Sequence, residues 1–317
     1  MPNHTPAGAY HHVARTAESR IQRAIAPPRP APNDPRQSTR ARIRASSGDT
    51  ILTRSGCMAS EAEVAALAPD ALPASDTPAA ERWQRFHADG IPEYLARNYW
   101  WAYLSRPGMA FFDWQPVVNL ILIGQYRRLM DLALARIDRD SARTLQIACV
   151  YGQLTPRLAG HLRSGTLDVV DVAPAQLGLC ARKLAAVGGD ARLTRMDAES
   201  LALADGSYDH VLMFCLLHEI PPATRAAALG EALRVLKRGG RLVIVDFGEA
   251  GCGKRSRVLD AWRRVLRRME PFLGGFIAED LVAGLRAAAQ RVGRRVEAIK
   301  QVAVLGGLYR VVEVRID

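Results

Sequence analysis

The chain has 317 residues, 49% of them apolar, and a formal charge of +11. Such a chain can build one substantial packed core with an appendage, which excludes a wholly disordered protein. No apolar run reaches the roughly 18 to 20 residues of a membrane span, and the N-terminus lacks the apolar core of a secretory signal.

Five cysteines (Cys57, Cys149, Cys180, Cys215 and Cys252) are scattered with no CxxC pair. They read as buried thiols in a reducing compartment, not as a disulfide framework or a zinc site. A soluble or peripheral protein of the cytoplasm is expected.

Residues 1–80 are rich in Ala, Pro, Arg, Ser and Thr, with APPRPAPNDP near the middle. They hold too few large apolar side chains to offset the entropy of ordering, so an extension without a fold is expected. The arginine-rich, acid-poor beginning also suits a targeting segment.

From 81 to 140 the composition turns to helix with aromatics. AAERWQRFHADG predicts a short helix stopped at Gly90, IPEYLARNYWWAYL a second entered through Pro92, and WQPVVNLILIGQYRRLMDLALARI a longer apolar third. These form a helical cap ahead of the first strand.

Residues 141–317 alternate strands and helices. TLQIACVYGQLT is a strand, a turn and a helix start, and LDVVDVAPAQL is a second buried strand ending in Asp171 before a helix that opens at Pro174. ARLTRMDAESL places Asp197-Ala198 after a short third strand, and SYDHVLMFCLLHEI is an apolar fourth strand read as ending at His218-Glu219. LRVLKRGGRLVIVDF is a helix, a Gly-Gly turn and a fifth strand.

Lys254 to about residue 270 predicts a helix with an apolar stripe, Trp262 on it, and a basic face. It reads either as a core-facing helix with a solvated side or as a helix lying on an anionic bilayer. A further helix and a hairpin turned at Gly306-Gly307 close the chain. The fold expected is α/β, a doubly wound seven-stranded, mostly parallel sheet behind an N-terminal helical cap.

This order of strand, turn, acid-tipped strand, Asp-Ala and Gly-Gly turn resembles the class I S-adenosylmethionine (SAM) dependent methyltransferases. One departure stands out. Where that family carries acid-x-Gly-x-Gly-x-Gly, this chain has Gln146, Ala148 and Val150, and only Gly152 remains.

The glycine-poor ACVYG turn, FCLLHE and the upstream NYWWAYLSRPGMAFFDW together resemble the RquA-type rhodoquinone biosynthesis family, over about residues 93 to 273. That resemblance implies replacement of a methoxy group of ubiquinone by an amino group, with SAM as amino donor, manganese assisting, and a product suited to anaerobic respiration on fumarate. Its rival among enzymes is ordinary methyl transfer to a quinol or other lipid phenol. A nucleic-acid binder using the basic tail is the rival from another class, disfavoured because the tail interleaves no aromatics with its arginines.

Candidate residues follow from position. Asp171 is placed to accept both ribose hydroxyls, and Asp197 with Ala198 to meet the adenine. Gln146, Ala148, Tyr151, Gly152, Val172 and Phe214 complete the expected cofactor wall. Tyr151 reads equally as a cofactor or quinone contact and as a turn aromatic packed on the cap.

His218 and Glu219 are candidate proton-handling groups, against the alternative of a capping pair before Pro221-Pro222. Tyr99, Trp100, Trp101, Tyr103 and Phe112 are candidate walls for a flat ring, and Phe111 and Trp114 extend that block. No metal-ligand spacing is visible, so manganese rests on the resemblance alone. The expected partners are ubiquinone and, peripherally, an anionic membrane surface, with no nucleic acid.

Overall fold

The computed structural model describes residues 89–140, 142–248 and 257–317, without the side chains of 257–260 and 263. All of these lie in one compact unit. The expected 1–80 extension, the helix read before Gly90, and residues 254–256 of the basic segment fall outside the described residues.

The cap begins with α1 (Glu93–Asn98), entered through Pro92, and runs into a π-helical turn, Trp100–Leu104. Ser105 caps α2 (Arg106–Phe112) by accepting the Gly108 N–H. The long apolar helix predicted over 114–137 is two helices, α3 (Gln115–Ile121) and α4 (Tyr126–Leu134). They separate because Ile123 and Gly124 both take left-handed backbone, φ 49° and 69°, and the Gly124 N–H closes back on Asn119 O at 2.7 Å. Gly124 is the residue type that tolerates such a stop.

Behind the cap lie β1 (Arg143–Ile147), α5 (Leu154–His161), β2 (Thr166–Asp171), α6 (Pro174–Ala186), β3 (Arg192–Arg195) and β4 (Tyr208–Phe214). α7 (Pro222–Arg234), β5 (Leu236–Phe247), α8 (Arg257–Met269), α9 (Leu273–Ala278), α10 (Leu281–Arg291), β6 (Val296–Val304) and β7 (Tyr309–Ile316) follow.

The strands form one sheet in the order β3-β2-β1-β4-β5-β7-β6. The first five are parallel, and β7 is antiparallel to both of its neighbours. This is the expected doubly wound, seven-stranded, mostly parallel sheet, whose strand order reverses between β1 and β4, where such sheets bind ligands.

β4 and β5 are buried on both faces over residues 211–214 and 242–245, which is why these stretches read as continuous apolar runs without alternation, whereas β1 alternates Leu145 and Ile147 with the buried polar Thr144 and Gln146. The predicted Gly-Gly turn before the fifth strand is absorbed into β5. Pairing with β4 jumps from Tyr208–Leu236 to His210–Arg241, and Gly239 in the extra residues has φ 72°.

Candidate active site

Two cavities open at the carboxyl ends of β1, β2 and β4. The first, about 620 Å³, runs along the tips of β1 and β2 past Ala148, Cys149, Asp171, Val172, Asp197 and Ala198. The second, about 1210 Å³, lies between the cap and α8 and is walled by aromatic and aliphatic side chains, among them Phe112, Tyr151, Phe214, Phe247 and Trp262. Tyr99, Tyr103, Ala148, Cys149, Leu216 and Glu219 border both.

At the first cavity, Asp171 accepts the Cys149 N–H at 2.7 Å and the Ala173 N–H at 2.8 Å. These bonds tie the β1 turn to the start of α6 and leave each carboxylate oxygen a further lone pair. Burial pushes the Asp171 carboxyl up to about 6, against the two amides that stabilise its charge. A ligand with hydroxyl donors relieves that cost, so the β2 tip fits the ribose of SAM. Asp197 accepts its own Glu199 N–H at 3.0 Å in a local turn, with Met196 and Ala198 beside it as apolar walls for a base.

The glycine-poor turn is held from behind. Lys183 on α6 donates to Asp113 of the cap at 2.7 Å and to the carbonyls of Val150 and Gly152, both at 2.9 Å. Asp113 in turn accepts the Gly152 N–H at 2.8 Å. The buried Tyr126 hydroxyl donates to Tyr151 O and accepts the Leu154 N–H.

Gly152 borders neither cavity; a Cβ there would come within 2.8 Å of the Tyr126 ring. The glycine that survives leaves room for the Tyr126 ring. Ala148 takes φ 69° without being glycine, a strain of roughly 1–2 kcal/mol located where both cavities meet. Gln146 is fully buried beneath the turn. Its amide donates to Ala148 O and accepts from the Thr155 hydroxyl, so it supports the turn from below and lines no cavity.

Tyr151 lines the second cavity and not the first. Its ring stacks on Tyr103 with centroids 5.3 Å apart and planes 4° apart, and Phe112 lies 6.1 Å away. Its hydroxyl donates to Ala102 O at 2.6 Å and accepts from Gln176, which also donates to Tyr103 O. The hydroxyl thus donates to the cap and accepts from α6. Phe214, expected on the cofactor wall, also faces the second cavity, where it packs edge-on against Tyr126. Trp101 and Phe112 line this cavity, while Trp100, Phe111 and Trp114 line neither.

β4 ends at Phe214, earlier than the sequence suggests, and Cys215 at φ 54° turns the chain into a 3₁₀ turn, Leu217–Glu219. Because the strand has ended, His218 and Glu219 do not point to opposite faces, and both line the second cavity.

His218 Nδ1 donates to Asp246 Oδ1 at 2.7 Å, while Asp246 also accepts the N–H groups of Leu217 and Phe247. Burial lowers the imidazole, but the Asp246 charge and hydrogen bond, with the Glu219 and Glu270 charges, together outweigh it and raise His218 to about 9. Nε2 of His218 stands 3.7 Å from Glu219 Oε1, and the Tyr103 hydroxyl donates to that oxygen at 2.6 Å. Burial pushes Glu219 up to about 8, with the imidazolium opposing and the Glu270 carboxylate adding to the rise.

Glu270, just past α8, accepts the Tyr99 hydroxyl at 2.8 Å. No periodicity in the sequence marks Asp246, Glu270, Gln176, Asp113 or Lys183. Their roles depend on α6, β5 and α8 converging on the cap, contacts far apart along the chain.

Among the described residues no three His, Cys, Asp or Glu side chains converge as a metal-ligand set. The manganese implied by the resemblance has no fitting donor set there.

Residues 144–240 match the Methyltransferase domain family. With the fold, that match makes this segment a class I SAM-dependent methyltransferase domain. A demethylmenaquinone methyltransferase of Thermus thermophilus is 34% identical over 152 residues, covering 48% of this chain and 66% of that protein. A ubiquinone/menaquinone biosynthesis C-methyltransferase, UbiE, of Azotobacter vinelandii is 30% identical over 172 residues, covering 52% and 65%.

The chain thus spans slightly under two thirds of the length of these curated relatives. Among solved structures, the magnesium protoporphyrin IX methyltransferase of Synechocystis is similar at 16% identity, with a TM-score of 0.48, over 71% of this chain and 100% of that one.

Proposed function

We propose that this protein is a SAM-dependent transferase acting on the ring of a ubiquinone-type quinone, and that it replaces a ring methoxy group by an amino group with SAM as amino donor. One observation carries the reading. A half-buried carboxyl and its phenol partner, Glu219 and Tyr103, stand on the border between the cavity at the tips of β1 and β2 and a larger apolar, aromatic one.

The names of the relatives, which are quinone methyltransferases, support the quinone as substrate class. The turn supports amination in this reading: its backbone is committed to Lys183, Asp113 and Tyr126, so the amino-acid end of SAM would face Tyr99, Tyr103 and Glu219, which border both cavities. When bound, SAM would supply the nitrogen that bonds to the ring carbon as the C–OCH₃ bond breaks and methanol leaves; loss of a Cβ proton with cleavage of the nitrogen–Cα bond, forming a Cα=Cβ double bond, would then leave the amino group on the ring and an unsaturated carboxylate derived from SAM.

The protein's own part is alignment and proton handling. Tyr103 and Tyr151 offer a stacked aromatic wall for the ring. Glu219, poised near neutral pH, takes the proton from the attacking nitrogen, and His218, fixed by Asp246, balances the charge that Glu219 acquires. Methyl transfer to a quinol is the second reading, and the relatives' names favour it.

A quinone substrate suits a cytoplasmic protein working at the inner face of the cell membrane. The deciding experiment incubates full-length protein with ubiquinone and SAM labelled with ¹⁵N at its amino group, in parallel with SAM labelled at its methyl carbon. Nitrogen label in the quinone supports amination, whereas methyl label in the quinone with S-adenosylhomocysteine overturns it.

A further inference from the structure

Large apolar side chains that remain in water are concentrated on one part of this molecule. Among the described residues, six of the seven exposed large hydrophobics (Trp101, Phe111, Trp114, Leu120, Val265 and Met269) lie on the π turn, the α2–α3 stretch and α8; Val187 is the exception. These are the elements that wall the second cavity.

Trp101 and Met269 line that cavity and are still 40% and 55% exposed, so they stand at its mouth. Phe111 packs on the lining residue Phe112 with ring centroids 5.1 Å apart, and Leu120, 70% exposed, precedes the lining residue Ile121. Val265 lies one turn from Met269 on α8. Arg264, Arg267 and Arg268 stand exposed on the same helix.

We propose that this apolar, arginine-flanked rim seats on the surface of an anionic bilayer, so that the cavity mouth opens into the lipid. The inference rests on the reading of the second cavity as the site of a lipid-borne substrate. Such a substrate then passes from the leaflet to Tyr103 and Glu219 without exposing its tail to water.

Charge selects this occupant over two others. A second copy of the chain would bring the same arginines against each other across a two-fold interface. The chain's own N-terminal residues are arginine-rich and acid-poor, and are likewise mismatched to a basic rim. Anionic headgroups complement the arginines, while the aromatic and aliphatic residues suit the headgroup–acyl boundary.

No helix of the described residues is long and apolar enough to cross a membrane, so the contact is peripheral. Neither Phe111 nor Leu120 lines a cavity, which separates docking from chemistry. The test is flotation of full-length protein with vesicles of phosphatidylcholine alone or with 30% phosphatidylglycerol, alongside turnover on a quinone with a single isoprene unit presented in water.

Wild type is expected to float with the anionic vesicles only, and to be released by 0.5 M salt. Phe111→Ser/Leu120→Ser and, separately, Arg264→Glu/Arg267→Glu should each lower the floated fraction at least fivefold, with turnover on the short quinone within twofold of wild type. Flotation of both variants at the wild-type level, or equal flotation with neutral vesicles, overturns the proposal. Wild type that floats as expected yet turns over no quinone overturns the functional reading and leaves the docking surface standing.

Discussion

The two cavities are built by opposite means. The first is framed on its sheet side by the tips of parallel strands, a strained alanine and one carboxylate that straps two loops together, with Tyr99 and Tyr103 of the cap closing it. The second is made by side chains donated from the cap, from the turn after β4 and from α8, elements distant in sequence. The strand-tip site is therefore sensitive to single polar groups, whereas the apolar cavity spreads its energetics over many contacts and exposes only a few polar atoms whose removal is decisive. The variants that follow test this contrast, from the largest expected effect to the smallest.

Asp171→Ala should weaken SAM binding at least 100-fold, because two charged hydrogen bonds to ribose at about 1.5–3 kcal/mol each are lost. The structure adds a second consequence. The Cys149 and Ala173 amides lose their acceptor, at roughly 1–3 kcal/mol for each group left unsatisfied, so melting should also fall. Asp171→Asn keeps one acceptor oxygen but turns an NH₂ donor toward the other amide, so it should recover only part of the stability and little of the affinity. Calorimetric SAM affinity within threefold of wild type in either variant would remove Asp171 from the cofactor site.

Glu219→Gln preserves shape and an acceptor for Tyr103 while removing the titration. Turnover should fall about 10²- to 10⁴-fold, the range of general base catalysis, with SAM affinity nearly unchanged. In wild type, kcat/KM should rise with pH toward a plateau above about 8, the value to which burial raises Glu219. That rise should vanish in the variant, and a retained rise would place the base elsewhere.

Asp246→Asn breaks the support of His218 instead of the wall itself. His218 has a folded-state value of about 9, above its ordinary 6.5, so its stabilising contribution is complete below about 6.5 and is lost as pH rises through 9. The variant should therefore melt well below wild type at pH 6.5, by about 2–3 kcal/mol, and the gap should narrow at pH 9.5. Glu219 and Asp171 are raised carboxyls that hold protons the unfolded chain has released, so wild type should itself lose stability between about pH 4 and 8. A gap independent of pH would show that Asp246 acts only through the Leu217 and Phe247 amides.

The sheet was legible because β1, β2 and β4 each announce themselves by apolar runs, and Asp171 and Asp197 by their place after a strand. The cofactor wall was legible only where it follows the strand tips. Gln146 and Gly152 sit at family positions, yet one supports the turn from beneath and the other makes room for Tyr126, a cap residue 26 positions upstream.

His218 and Glu219 were legible as a pair but not as neighbours in one cavity, since the end of β4 depends on a left-handed Cys215 that no sequence pattern marks. Trp262 shows the same limit. Its place in an amphipathic stripe suggested a core or membrane contact, while its partner-free N–H on the cavity wall comes from how α8 packs.

That N–H gives the smallest and sharpest test. Trp262 lines the second cavity, and its Nε1 is buried with no hydrogen-bond partner. Indole nitrogen is a donor only, so the atom is either a standing desolvation cost or a group awaiting an acceptor such as a ring carbonyl. The two alternatives move observables in opposite directions. Trp262→Phe keeps an aromatic ring and deletes the donor. If the N–H meets the substrate, KM for quinone should rise about three- to tenfold, the worth of one neutral hydrogen bond, with kcat and SAM affinity held. Melting should stay level or rise, because an unsatisfied polar group has been removed from the apo-protein. If melting rises and KM does not change, the N–H contacts nothing in the bound state, and substrate orientation must come from Tyr103, Tyr151 and Glu219 alone.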